Sequence, residues 1–109
     1  MIKYITGAVP QTLGELVTLR VGLPNNPRGG VGLLFYMIDT GDGARGYRIH
    51  VNGEPQSQIV IPPGRFFATL HTRVGHLGRV NTLSFESFDI GSPPGGPLDI
   101  LNVILYYDL

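Results

Sequence analysis

Side chains able to do acid–base, nucleophilic or metal chemistry are few in this sequence. It has three histidines, His50, His71 and His76, and no cysteine. Its carboxylates are Glu15, Asp39, Asp42, Glu54, Glu86, Asp89, Asp99 and Asp108. Without a thiol, covalent catalysis would fall to a serine or threonine beside a base. No histidine accompanies a Gly-x-Ser-x-Gly elbow. A glycosidase needs two carboxyl groups facing each other across a cleft, one with a raised pKa. Most of the eight acids sit in turn-forming stretches and read as solvated. Asp39-Thr40-Gly41-Asp42-Gly43 has the beginning of a calcium loop, but the further oxygen ligands that calcium takes are missing from the sequence around it. No glycine-rich loop follows a strand and opens a helix, so nothing indicates a nucleotide site. The expectation is a protein that is not an enzyme and holds no cofactor or metal.

What remains is hydrogen-bonding chemistry on loops. Asn25, Asn26 and Arg28 lie in one turn-rich segment, Asp42 and Arg45 in a second, and His76 and Arg79 in a third. These seven are the candidate ligand-binding residues. Groups of this kind orient sugar hydroxyls, with an aromatic ring as platform. The chain has no Trp, so a Tyr or Phe would have to serve. His71 and His76, with Arg73 and Arg79, are a second grouping suited to an anion or a sugar hydroxyl.

The elements that position these residues are strands. Tyr47, Ile49 and Val51 alternate with Arg48 and His50, and Asn52-Gly53 supplies two residues tolerant of positive φ, as a type I′ hairpin requires. The partner strand runs through Gln58-Ile59-Val60-Ile61 and stops at Pro62-Pro63-Gly64. Alternation also marks strands at 15–23, 65–74 and 81–88. The stretches 31–38 and 98–107 are apolar on both faces, so each is covered on both sides, within the domain or by a neighbour. The loops fall at 24–30, 39–46, 75–79 and 91–97. No ten-residue window has helical periodicity. Seven or eight short strands, 16 Gly, nine Pro and 42% hydrophobic residues in 109 describe one all-β antiparallel sandwich of jelly-roll type, spanning 1–109.

Charge bounds the partners. Eight basic and eight acidic residues give zero net charge, and charged residues are only 15% of the chain. That balance provides no electrostatic footprint for nucleic acid or an anionic membrane. No apolar run approaches a membrane span, and Met1-Ile2-Lys3-Tyr4-Ile5-Thr6-Gly7 is too short and polar for a signal peptide. The expectation is cytoplasmic synthesis, with a place in a virion or excision from a secreted protein as alternatives.

Three segments carry a resemblance. Tyr47-Arg48-Ile49-His50-Val51-Asn52-Gly53, Gly78-Arg79-Val80-Asn81-Thr82-Leu83-Ser84-Phe85 and the strand from Asp99 to Asp108 are similar to a hairpin, a strand and the closing strand of the galactose-binding-domain-like jelly rolls. That group includes many carbohydrate-binding modules and the C-terminal domain of rhamnogalacturonan lyases. The resemblance implies a jelly roll and non-catalytic glycan binding. The N-terminal acidic pair that often holds a structural calcium in those modules is missing here.

Two readings follow. One is a carbohydrate-binding module or small lectin whose partner is a glycan. The other is a homo-oligomeric structural protein, such as a phage capsid-decoration or tail component, whose partner is a copy of itself. An exposed aromatic beside the loops favours the first, and fully buried aromatics with a large symmetric apolar interface favour the second.

Overall fold

A computed structural model describes residues 1–5, 11–13, 16–40, 45–61, 64, 66–89 and 98–109. The strands are β1 (Ile2–Tyr4), β2 (Gln11–Leu13), β3 (Leu16–Gly22), β4 (Gly32–Thr40), β5 (Arg45–Val51), β6 (Glu54–Ile61), β7 (Phe66–Val74), β8 (Val80–Asp89) and β9 (Leu98–Tyr107), with a 3-10 turn at Arg28–Gly30. Of the loop expected at 39–46, Asp39 and Thr40 belong instead to β4 and Arg45 and Gly46 to β5, where ladder pairing extends both strands, while 41–44 and the loop at 91–97 fall outside the described residues.

The pairings are nested around the hairpin. Asn52 and Gly53 join β5 to β6 with φ of 52° and 83°, positive at both positions as the type I′ turn demands. Outside this pair β4 joins β7, then β3 joins β8, and then β1 and β2 join β9, all antiparallel. Pairing of β4 with β9 and of β5 with β8 completes two sheets, β1-β9-β4-β7 with β2 also on β9, and β3-β8-β5-β6. β1 runs beside residues 104–106 of β9 and β2 beside 98–100. The two short strands share one position, so each sheet is four strands wide. Eight positions wound in this order make a jelly roll. The sequence reading missed β1 and β2 because three-residue segments have no period to read.

Alternation buries one face of each strand. Leu34, Tyr36 and Ile38 of β4 and Val103 and Leu105 of β9 meet Tyr47, Ile49 and Val51 of β5 and Leu83 and Phe85 of β8. At the centre the Tyr36 and Tyr47 hydroxyls hydrogen-bond at 2.8 Å, with their rings nearly perpendicular. Each phenol thus has a partner away from water.

The outer faces differ. On the four-stranded sheet they are mostly polar, with Thr18 and Arg20, Arg48 and His50, Thr82, Ser84 and Glu86 beside the scattered apolar Val60, Val80 and Phe88. Arg48 donates from Nε to Gln58 Oε1 and from Nη1 to Glu86 Oε1, both at 3.0 Å, and lies 4.3 Å above the Phe88 ring. Gly46 sits beneath that ring, where a Cβ would overlap its atoms. Gly46→Ala is expected to displace Phe88 and cost about 1–3 kcal/mol, read as a lower urea midpoint at unchanged m.

The five-stranded sheet is apolar outside as well as inside. Leu33, Phe35 and Met37 share that face with Ile104 and Tyr106, flanked by Phe67, Thr69, His71 and Arg73 of β7. β4 and β9 are therefore central, yet no described residue covers their second face. Phe67 is 58% exposed and Tyr106 46%.

Candidate functional site

One end of the sandwich gathers the chain segments 23–31, 52–53, 75–79 and 108–109. Two asparagines organise it. Asn81 is buried at 2% exposure because its strand parity points it inward with Leu83 and Phe85. Its Oδ1 accepts from Gly78 N at 2.8 Å and from Asn52 Nδ2 at 2.9 Å. Its Nδ2 donates to Gly78 O at 2.8 Å and Val21 O at 3.3 Å. Asn52 also donates to His76 O and accepts from Thr82 N, each at 2.8 Å. The hairpin tip is thereby tied to the 75–79 loop and to the start of β8, which Asn81 ties in turn to the end of β3.

Backbone bonds lock the loops together: Leu77 N to Gly30 O at 2.9 Å, Leu23 N to Arg79 O at 2.8 Å, and Arg28 N to Asp108 O at 2.7 Å. Asn25, Asn26, Arg28, His76 and Arg79 are exposed at this end. His76 holds a positive φ of 57°, uncommon for a residue with a side chain. Five of the seven sequence-predicted residues are therefore brought to one end. Arg45 is not, since it opens β5 at the opposite end. Asp42 lies outside the described residues. The second grouping also divides: His71 and Arg73 lie on the sheet face, while His76 and Arg79 lie on the loop crossing between sheets.

Where this end meets the apolar face there is a shallow depression of about 370 Å³, lined by Val31, Leu33, Arg73, Tyr106 and Asp108 with the backbone of Gly32 and Tyr107. Arg28 adjoins it through its bond to Asp108. Arg73 is exposed and has no hydrogen bond or ion pair among the described residues. An open aromatic ring, a guanidinium with unused donors and a carboxylate acceptor are the parts with which a protein holds a polar ring. Asp108 is the lone carboxylate in the lining, one short of the pair that glycoside hydrolysis uses. Among the described residues no three His, Asp or Glu are grouped as metal ligands.

No protein-family model and no curated protein matches the chain. Solved structures do. The carbohydrate-binding module CBM36, in complex with calcium and xylotriose, aligns over 99% of both chains with a TM-score of 0.60 at 6% identity. The C-terminal domain of EclA, a sugar-binding protein, aligns over 95% of this chain and 76% of its own, with a TM-score of 0.56 at 14% identity. The exo-β-1,3-galactanase of Phanerochaete chrysosporium gives a TM-score of 0.59 at 19% identity over 96% of this chain, but only 26% of the enzyme is covered. The chain shares the sandwich fold of carbohydrate-binding modules, and its matches to enzymes span a part of them.

Tyr106 and Asp108 were not among the sequence candidates, and Arg73 was named only in the second grouping. One signal pointed to Tyr106: of two adjacent tyrosines on a strand, one must face outward.

Proposed function

We propose that this chain is a non-catalytic carbohydrate-binding domain whose primary contact is the Tyr106 depression. The observation that carries the reading is an aromatic ring 46% exposed beside Arg73, which has no partner among the described residues. A pyranose laid on Tyr106 would bury its apolar face against the ring, while Arg73 donates to hydroxyls and Asp108 accepts from them. Arg28 stands next to this contact, and Asn25, Asn26, His76 and Arg79 line the loop end beyond it as further hydrogen-bonding groups. The shared fold with sugar-binding modules supports the same reading.

Tyr106→Ala and Arg73→Ala are each expected to weaken binding to a retained glycan about tenfold or more, since one lost stacking or charge-assisted contact is worth roughly 1–3 kcal/mol. Arg73 is on the surface, so its removal should move stability by less than about 0.5 kcal/mol, whereas Tyr106→Ala also loses the edge contact with the Phe35 ring and should cost about 0.5–1.5 kcal/mol. Affinity electrophoresis on soluble polysaccharides, followed by titration calorimetry, checks this. Unchanged affinity in both variants would remove Tyr106 from the site.

A further inference from the structure

The four sheet edges differ in how they are finished. β1 and β2 are three residues each, and β3 carries Arg20 within the strand. β6 begins Glu54-Pro55 and is bulged where its register with β5 shifts between Ile49 and His50. Short strands, charges, prolines and bulges are the devices that keep an edge from pairing with another chain. β7 is the exception. It is nine residues long and proline-free, and it pairs with no strand but β4 among the described residues. β9 is bulged against β4 at Asn102, whose φ is 50°, but β7 follows β4 without a break from Val74 to Phe66. The one formal charge of β7, Arg73, stands next to its last residue.

β7 is also complementary to itself when reversed. Pairing all nine residues antiparallel with a second β7 sets Leu70 opposite the partner's Leu70, Thr69 opposite the partner's His71, and Phe67 opposite the partner's Arg73. Phe67 is 58% exposed, and Arg73 is exposed with no hydrogen bond or ion pair among the described residues. Both project from the outer face, so each guanidinium meets the other copy's ring as a cation beside an aromatic. Leu70 packs only partly on the core, and its twin covers the rest. Sliding the register by two residues shortens the ladder and sets Phe67 against His71, or His71 against its own copy.

We propose that a second copy of this chain pairs antiparallel along β7, about a two-fold axis at Leu70, joining the two sheets into one of eight strand positions. The ladder carries about eight to ten backbone hydrogen bonds, as many as a standard protein interface. A two-fold that continues a sheet stands perpendicular to it, so both Tyr106 depressions come to the same side. Tyr106 is level with Arg73 through Leu33, three residues beyond the axis. Five strand spacings of about 4.8 Å and six residues of about 3.3 Å therefore separate the two sites, roughly 30 Å in all. Resting on the reading above, the dimer is a bivalent glycan-binding surface. One polysaccharide chain engages both sites, and the second engagement is intramolecular.

Light scattering over a concentration series should find a dimer. Phe67→Arg sets like charges opposite each other at two places in the ladder and should weaken association about tenfold or more. Its circular dichroism should match the parent, because Phe67 is exposed. Phe67→Arg/Arg73→Glu puts opposite charges at the same places and should restore the dimer. Soluble xylan, β-mannan and β-1,3-galactan, each compared with its own trisaccharide, test the bivalent surface. The polysaccharide that binds should lose about tenfold or more in Phe67→Arg, while affinity for its trisaccharide holds. A monomer at every concentration, or a dimer indifferent to Phe67→Arg, overturns the edge pairing and leaves the Tyr106 site standing. A dimer that only Met37→Glu dissociates assigns the contact to the outer face and overturns it too. A dimer that Phe67→Arg dissociates but that binds none of the glycans upholds the pairing and overturns the glycan reading.

Discussion

Asn81→Ala is expected to lower the unfolding free energy by about 3–4 kcal/mol, because it strands several buried partners at once. Gly78 loses both its N–H acceptor and its C=O donor, Val21 O loses its donor, and Asn52 loses an anchor. Each unpaired buried group costs about 1–3 kcal/mol, reduced where water can reach it. Asn81→Asp separates donor from acceptor: it keeps an oxygen for Gly78 N but turns a second oxygen toward the Val21 and Gly78 carbonyls. It should be at least as destabilising as alanine at neutral pH, since it also buries a charge. Urea denaturation of the three proteins measures both changes. A loss below about 1 kcal/mol for Asn81→Ala would mean that the loop end holds together without this network.

Alkaline pH should unfold the protein from its centre. Burial raises the Tyr36 and Tyr47 phenols above their usual value. The bond to Tyr47 partly offsets the rise at Tyr36, while that bond and the neighbouring phenol add to it at Tyr47. An unfolded tyrosine releases its proton near pH 10. Above that pH the folded state holds more protons than the unfolded one, so stability falls as pH rises. The stabilisation is fully present below about pH 10 and declines above it, by at most about 1.4 kcal/mol per pH unit for each tyrosine. Urea midpoints between pH 8 and 11 should bend downward near pH 10. The Tyr36→Phe/Tyr47→Phe double variant should shift that bend upward and stay folded at pH 7, because both partners of the pair leave together. Tyr47→Phe alone should be the less stable, with the Tyr36 hydroxyl left without its bond. A double variant with an unaltered alkaline limb would assign the loss to other groups.

The hairpin and the sandwich were legible because Asn52-Gly53 and the alternation of 47–51 are local signals. The gathering of Asn25, Asn26, Arg28, His76 and Arg79 was only partly legible. Loop residues could be named, but which loops share an end depends on strand order, and that separated Arg45 from the rest. The role of Asn81 was not legible because its partners Val21 and Asn52 are distant in sequence. Tyr106 was hidden for another reason. Where both faces are apolar, parity cannot say which of Tyr106 and Tyr107 faces outward, and the bulge at Asn102 shifts that parity by one residue.

The nesting of the pairs around Asn52-Gly53 also sets an order of events in folding. The β5–β6 turn closes over two residues. Once it has formed, the ends of β4 and β7 are already near one another, and each later pair closes a loop that its predecessor has shortened. β9 meets β1 across about a hundred residues of sequence, so its pairing waits for the rest. Tyr106 rides on β9, the last strand in this nesting. A ligand held at the proposed site would grip the closure that the nesting places last, so occupancy would act as a clasp on the chain and slow its unfolding.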